Sequence, residues 1–366
     1  MMRTAVCAAA ALLLVAASSC TGSGKGAEEK IDTLNLTGTL IAGDSLFNTP
    51  YGIVASGDRI YVRNSGKEKL LIDEFDADGR YIRSFLKQGS GEGEMPYVDA
   101  IRFDAANRRL IVEAAAMYGV LLAIEDLDSN NPTLKTIFSL PERIAGAPGD
   151  SVVPANLIRL ANGAIITPNL TPAGMLGIYD STGNFKKIVQ PYPPKEELGS
   201  DVPDYALANF FQMKGAASPD GKHFAAASTL GDIISFGNVA GDSVDIVTLV
   251  GEPQEGIEIS EEGSEATIRY NEKLRYFFPR GINVTDSCVY AVIGGYAHDN
   301  YAVGKSADAD SMPCTMVRVY DYNGNIKSVL RLDVANCIIA VTPDGSKLYA
   351  LGKSHKNGYQ LFRFDL

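Results

Sequence analysis

A hairpin signature that returns along the chain limits what it can fold into. A short apolar strand runs into Ser218-Pro219-Asp220-Gly221 and out into His223-Phe224-Ala225; the same happens at Thr342-Pro343-Asp344-Gly345, which leads into Lys347-Leu348-Tyr349. A second signature alternates with it, an aromatic residue followed by Asp-x-x-Gly. It stands at Phe75-Asp76-Ala77-Asp78-Gly79, at Tyr179-Asp180-Ser181-Thr182-Gly183 and at Tyr320-Asp321-Tyr322-Asn323-Gly324. Asp-Gly and Asn-Gly supply the positive backbone angles that tight hairpins need. Two hairpin types repeated around one chain indicate a β-propeller.

Turn residues divide the chain into six blade-like units: 51–86, 98–140, 156–190, 213–251, 280–332 and a last one that starts at Asn336. Their first-turn markers, Asp58, Asn107, Asn162, Asp220, Asp286 and Asp344, recur at intervals of roughly 50 to 65 residues, which suits four-stranded blades with loop insertions. The last unit supplies three strands before the sequence stops. Residues 31–41 alternate apolar and polar side chains and have no partner in the first unit. We assign them as the missing fourth strand, because an unclosed ring leaves an exposed edge. The expected fold is all-β: a six-bladed β-propeller of four-stranded antiparallel blades over residues 31–366, its N-terminal strand closing the last blade. Four segments are longer than such a ring requires: 87–97, 190–209, 251–275 and 297–313. Within the third, residues 264–274 suggest an amphipathic helix. Long loops on a rigid scaffold are where function usually sits.

The first residues read as a targeting segment. Arg3 precedes an apolar run, and Ala17-Ser18-Ser19-Cys20 places small residues before a cysteine. This resembles a bacterial lipobox. Residues 1–19 are then a signal peptide, Cys20 the lipidated first residue of the mature protein, and 20–30 a flexible tether rich in Gly, Ser, Lys and Glu. An ordinary secretory signal is the other reading. The chain has 33 Lys and Arg against 44 Asp and Glu, a formal charge of −11. That argues against nucleic acid or a polybasic membrane surface as partner. Of five cysteines, Cys288, Cys314 and Cys337 fall outside the leader and the lipidation site. Their odd number and the apolar surroundings of Cys288 and Cys337 favour buried free thiols.

The Pro-Asp-Gly hairpins resemble those of TolB-type propeller repeats. With the lipobox, the six units and the loop Gly89-Ser90-Gly91-Glu92-Gly93-Glu94-Met95-Pro96, the chain is similar to the TolB-like six-bladed propeller lipoproteins of Bacteroidetes. That resemblance implies an envelope-anchored propeller of unassigned role, lipid-anchored to a membrane and facing the periplasm or the cell surface. It carries no catalytic residues across.

Chemistry-bearing motifs are sparse. Gly89-x-Gly91-x-Gly93 joins two strands, lacks a following Lys-Ser/Thr and helix, and carries Glu92 and Glu94, so it reads as an inter-blade loop and not as a phosphate site. The three histidines, His223, His298 and His355, have no metal-ligand spacing and no nucleophile context. Asp126-Leu127-Asp128-Ser129-Asn130-Asn131 and Asp308-Ala309-Asp310-Ser311 lack the calcium-loop pattern and read as turns. No cofactor and no metal are expected. The better lead is the rim of the axis. Tyr51, Tyr97, Asn156, Gln212, Arg280 and Asn336 lead into the six innermost strands, and such a ring suits an anionic or sugar-like ligand. Hydrogen bonding to neighbouring strand ends is the competing role. Arg280, between Pro279 and the apolar strand that follows, is the leading contact. The sequence therefore points to a non-catalytic envelope lipoprotein that binds an envelope protein or small ligand through its loop-rich face. A propeller lactonase or lyase with a metal-assisted site at the channel mouth is the alternative, and a structural subunit of an envelope assembly is a third.

Overall fold

The six units are six sheets. The computed structural model describes residues 31–366 except 65–68, 115–118, 141–155, 172–173, 193–210, 212, 242, 263–264, 272, 279, 294–295, 298–313, 336 and 355–357. Among the described residues the chain is strand, turn and one short 3-10 segment, Asp44–Leu46. Each blade is an antiparallel meander. In the first, Pro50–Ala55 pairs with Arg59–Asn64, which pairs with Leu70–Asp76, which pairs with Tyr81–Lys87. The inner strands of the other five blades are Ala100–Asp104, Ile158–Arg159, Met213–Ala217, Ile282–Val284 and Ile338–Val341.

Burial explains the order of strands. The second strand of the first blade is apolar on both faces, and Ile60, Tyr61 and Val62 are at most 2% exposed, as expected of a strand sandwiched between neighbouring blades. Outer strands face solvent on one side; Ser243–Val250 alternates between half-buried and exposed positions. Six apolar cores form, each shared by two neighbouring blades. Ile166 and Leu176 of the third blade meet Phe224 and Ile233 of the fourth. Ala340 and Tyr349 of the last blade meet Ile60 and Phe75 of the first. The other four cores fill the remaining interfaces, so the ring is closed by side-chain packing. A fully buried large apolar side chain contributes about 1.5–3 kcal/mol, which makes these six interfaces the main source of stability.

The two hairpin signatures build the same geometry wherever they occur. In the Pro-Asp-Gly type, the Asp220 carboxylate accepts from Ser218 Oγ (2.6 Å) and from the Lys222 N–H (3.0 Å). Asp344 accepts from Thr342 Oγ1 (2.6 Å) and the Ser346 N–H (3.0 Å). In the Asp-x-x-Gly type, one oxygen of the leading carboxylate takes two backbone N–H groups: Asp78 and Arg80 on Asp76, Thr182 and Asn184 on Asp180, Asn323 and Asn325 on Asp321. Both types lie on the same face, because they follow the first and third strands of a four-strand meander. The opposite face therefore carries the long connections.

Two sequence expectations are corrected. Residues 31–41 do not make a single closing strand. Thr39–Ala42 pairs antiparallel with Gly358–Asp365 and completes the last blade, while Thr33–Leu36 pairs in parallel with Ile326–Ala335 and adds a fifth strand to the fifth blade. Gly38 lies between the two strands; its N–H donates to Asp333 Oδ1 at 2.9 Å, and Phe364 occupies the space a side chain there would need. Among the described residues of 264–274 there is no helix. Ile257–Glu262 and Glu265–Tyr270 pair as an antiparallel hairpin with Ile259 opposite Ile268. The β-branched residues Ile257, Ile259, Thr267 and Ile268 prefer a strand, and Gly-Ser between the two segments is a hairpin signal.

Candidate functional site

The six inner strands surround an axial cavity of about 750 Å³. Residues from both ends of these strands line it, so it runs along the axis from the rim with the long connections to the face of short turns. Among the described residues its wall carries six basic side chains (Arg63, Arg102, Arg109, Arg159, Lys214 and Arg280) and three carboxylates (Asp99, Asp104 and Asp220). The chain as a whole has the opposite balance. Basic residues are thus concentrated on the axis of an acidic protein.

Several charges toward the turn end are paired in place. Arg109 donates from Nε to Asp104 Oδ2 (2.9 Å) and from Nη1 to Glu125 Oε1 (3.2 Å). Arg102 joins the second and third blades: its Nη2 donates to the Leu157 carbonyl (2.9 Å) and ion-pairs with Glu113, whose other oxygen accepts the Leu157 N–H (3.2 Å). Burial pushes the Arg102 pKa down to about 10. Asn283 joins the fifth blade to the sixth, donating to the Ile339 carbonyl (3.1 Å) and accepting from the Val341 N–H (3.3 Å).

At the loop end one basic side chain lacks such a partner among the described residues. Arg63, from the second strand of the first blade, donates to the carbonyls of Val98 (2.8 Å), Asp99 and Tyr51 (3.0 Å). Its guanidinium stands 5.3 Å from the centroid of the Tyr51 ring, within cation–π range. Lys214 projects from the inner strand of the fourth blade. Its stem runs past Gly281, where an added Cβ would meet Lys214 Cβ and Cδ at 3.9 Å. That places the stem beside the residue that follows Arg280. Among the described residues Lys214 makes no hydrogen bond or ion pair. It reaches the water of the cavity, but the protein that surrounds it limits its solvation. That desolvation first, and then the charges of Arg63 and Arg280, lower its pKa. Desolvation also lowers that of Arg63.

Of the rim residues expected from the sequence, Tyr51, Asn156 and Arg280 line the cavity. Asn156 also donates to the Met213 carbonyl at 3.4 Å, so it holds a neighbouring strand end as well. Tyr97 is exposed and does not line the cavity; Asp99, two residues on, does. The fully buried Met95 anchors the preceding loop, and the chain reaches the axis only after it. Gln212, Asn336 and Cys20 lie outside the described residues. Arg63, Arg102, Arg159 and Lys214 also line the cavity, although none of them leads into an inner strand from the rim. Two of them had a signal: Arg102 and Lys214 are the basic residues of two mainly apolar inner strands, Ala100–Asp104 and Met213–Ala217. Arg63 sits on a second strand and is brought to the axis by the fold alone.

The other motifs have structural roles. Glu94 folds back over its own Gly-rich loop, accepting from the Gly91 N–H (3.1 Å) and from Lys87 Nζ (2.6 Å). Its carboxylate sits where a Cβ on Gly89 would be, so the loop holds its own anion. His223 stacks on Tyr322 across the fourth and fifth blades, centroids 3.8 Å apart and rings 7° from parallel. Cys288 and Cys337 are buried free thiols. Asp126 begins a turn in which its carbonyl accepts the Ser129 N–H at 2.8 Å; residues 308–311 lie outside the described residues.

Comparison with known proteins agrees with this architecture. The DUF5128 family, described as a 6-bladed beta-propeller, matches residues 42–122. The chain is a six-bladed β-propeller. Among solved structures it is similar to a member of the DUF4221 family from Bacteroides vulgatus, with 11% identity, TM-score 0.52, and 90% of this chain and 95% of that one covered. It is also similar to an exported protein of Bacteroides fragilis (10% identity, TM-score 0.49, 91% and 98% covered). A gluconolactonase of Xanthomonas campestris is a further likeness (12% identity, TM-score 0.45, 88% of each chain). Likeness at these identities extends to the fold alone. No curated protein matches the chain.

Proposed function

We propose that this protein is an envelope lipoprotein, anchored through Cys20, whose propeller binds a small anionic ligand at the loop end of its axial cavity without turning it over. The observation that carries the reading is that Arg63, Lys214 and Arg280 line the same axial cavity, with Lys214 lacking an ion-pair partner among the described residues. Like charges held together in a confined space repel, and an anion that enters relieves the repulsion. The volume is in the usual range for small-molecule sites. Tyr51, held under Arg63, offers a flat apolar surface beside the charges. The wall has hydrogen-bond donors but no cluster of three or more His, Cys, Asp or Glu able to hold a metal among the described residues; binding needs no such cluster. The leader sequence, with small residues before Cys20, supports the envelope address.

Calorimetry tests the binding. Citrate is expected to bind the intact protein and glucose is not. Arg280→Ala is expected to weaken citrate by about tenfold or more, the loss expected for one charge-assisted hydrogen bond, while the melting temperature stays near that of the parent. Equal citrate affinity in parent and variant would overturn the assignment of Arg280.

A further inference from the structure

The grouping at the loop end does more than attract an anion. Arginine stays charged in any protein environment, so Arg63 and Arg280 are permanent cations. Lysine is the member of the trio that can respond to crowding by giving up its proton. Its position favours that response: an inner-strand amine with no carboxylate or carbonyl partner among the described residues, stem packed along Gly281, and two guanidinium groups as charged neighbours. The other charges that line the cavity are Asp99, Arg159, Arg102 paired to Glu113, Arg109 paired to Asp104 and Glu125, and Asp220. Asp99 acts on Arg63 and is not among the groups that shift Lys214. Surface lysines of the same chain are held differently. Lys186 pairs with Asp180 at 2.8 Å and Lys135 with Glu125 at 2.6 Å, and the Glu125 partner raises the pKa of Lys135. Lys214 is exposed to the cavity, and an amine next to other cationic groups is one way proteins make lysine a nucleophile.

We propose that Lys214 is a nucleophilic amine that captures the carbonyl group of an anionic ligand, such as a 2-oxo acid, as a reversible imine, while Arg280 and Arg63 receive the ligand's carboxylate. The step balances without a further reactant. The neutral Nζ lone pair attacks the carbonyl carbon, both protons of the amine pass to the carbonyl oxygen, which leaves as water, and the nitrogen keeps a C=N bond. Hydrolysis reverses it. This rests on the anion-binding reading and narrows its ligand class. Imine formation removes no atom of the ligand other than the carbonyl oxygen, which hydrolysis restores. The result is capture and release, consistent with binding without turnover.

The test is reductive trapping on the full-length protein at neutral pH. Glyoxylate, the smallest 2-oxo acid, is added with cyanoborohydride, and acetaldehyde serves as the uncharged control; modified lysines are located by peptide mass spectrometry. Glyoxylate is expected to modify Lys214 severalfold faster than Lys186 and Lys222, and the label at this position is lost in Lys214→Arg. In Arg280→Ala, labelling by glyoxylate slows while labelling by acetaldehyde does not. Modification of Lys214 no faster than of Lys186 and Lys222 by either aldehyde, in a protein that still binds citrate, overturns the nucleophile and leaves the anion site standing. Fast labelling of Lys214 by both aldehydes, with no advantage for glyoxylate, upholds the nucleophile and removes the anion site.

Discussion

Gly221 shows how much one residue of a repeated turn can decide. Its φ is +67°, a left-handed conformation that costs other residues about 1–2 kcal/mol. A Cβ there would also lie 2.7 Å from the backbone nitrogen of Ala161 in the neighbouring blade, whose N–H donates to the Gly221 carbonyl at 3.0 Å. Gly57 has a similarly positive φ of +96° but open space around it. Gly221→Ala is therefore expected to destabilise more than Gly57→Ala, by the added displacement of Ala161. Urea unfolding of both variants measures the difference, and equal losses would mean that the inter-blade contact is soft. The turn carboxylates make a second prediction. Lys186, with Thr182 and the Asn184 N–H, holds the Asp180 carboxyl well below the usual range, and the Thr342 hydroxyl with the Ser346 N–H does the same for Asp344. A carboxyl whose pKa is depressed by folding stabilises the fold above its unfolded pKa, about 3.9, and loses that contribution as pH falls through the folded value. Melting temperature should then hold steady down to about pH 4 and drop below it. The drop should be shallower in Asp180→Asn and Asp344→Asn, and unchanged steepness in both would rule these turns out as the acid-sensitive points.

At the scale of elements, the ring depends on two short N-terminal strands that serve different blades. Thr39–Ala42 covers the edge of Gly358–Asp365, and Thr33–Leu36 covers the edge of Ile326–Ala335. Deleting residues 31–41 uncovers both, and bare edges recruit other chains. The deletion is expected to aggregate or to melt well below the parent, whereas deleting residues 21–30 should leave the melting temperature unchanged. Thermal scans with light scattering compare the two; identical melting would show that closure lies elsewhere. The split into two strands was not legible beforehand. Residues 31–41 alternate as one strand would, and only Gly38, packed under Phe364 with its N–H on Asp333, marks the place where the chain changes blades. The hairpin at residues 257–270 was misread for a related reason. A short segment with scattered apolar residues fits a helical and a strand period about equally, and its pairing partner decided between them.

For the whole molecule, the address and the site are separable. If Cys20 carries the anchor, Cys20→Ala should move the protein from the membrane fraction to the soluble fraction without altering its citrate affinity. Full retention with membranes would point to another anchor, and a changed affinity would tie the cavity to the membrane. The site itself is an assembly property. Lys214 comes from the fourth blade, Arg280 from the fifth and Arg63 from the first, so no single blade contains it. Closing the ring brings them around one cavity, and the six shared cores supply the stability that holds like charges together.

Turn chemistry is local, and so it was readable. Asp220-Gly221, Asp344-Gly345 and the three Asp-x-x-Gly segments depend only on hydrogen bonds within a few residues and on backbone angles that glycine tolerates. Their recurrence determined the hairpins, the hairpins the blades, and the blade count the fold. Tyr51, Asn156 and Arg280 could be placed near the axis by the same counting, because a residue that leads into an inner strand must start at the rim. The tertiary structure alone decided that Tyr97 stays outside, that Arg63 reaches in from a second strand, and that Lys214 shares the cavity with both arginines without a partner among the described residues. Those facts depend on distances between blades, which closure of the ring sets and no local pattern encodes.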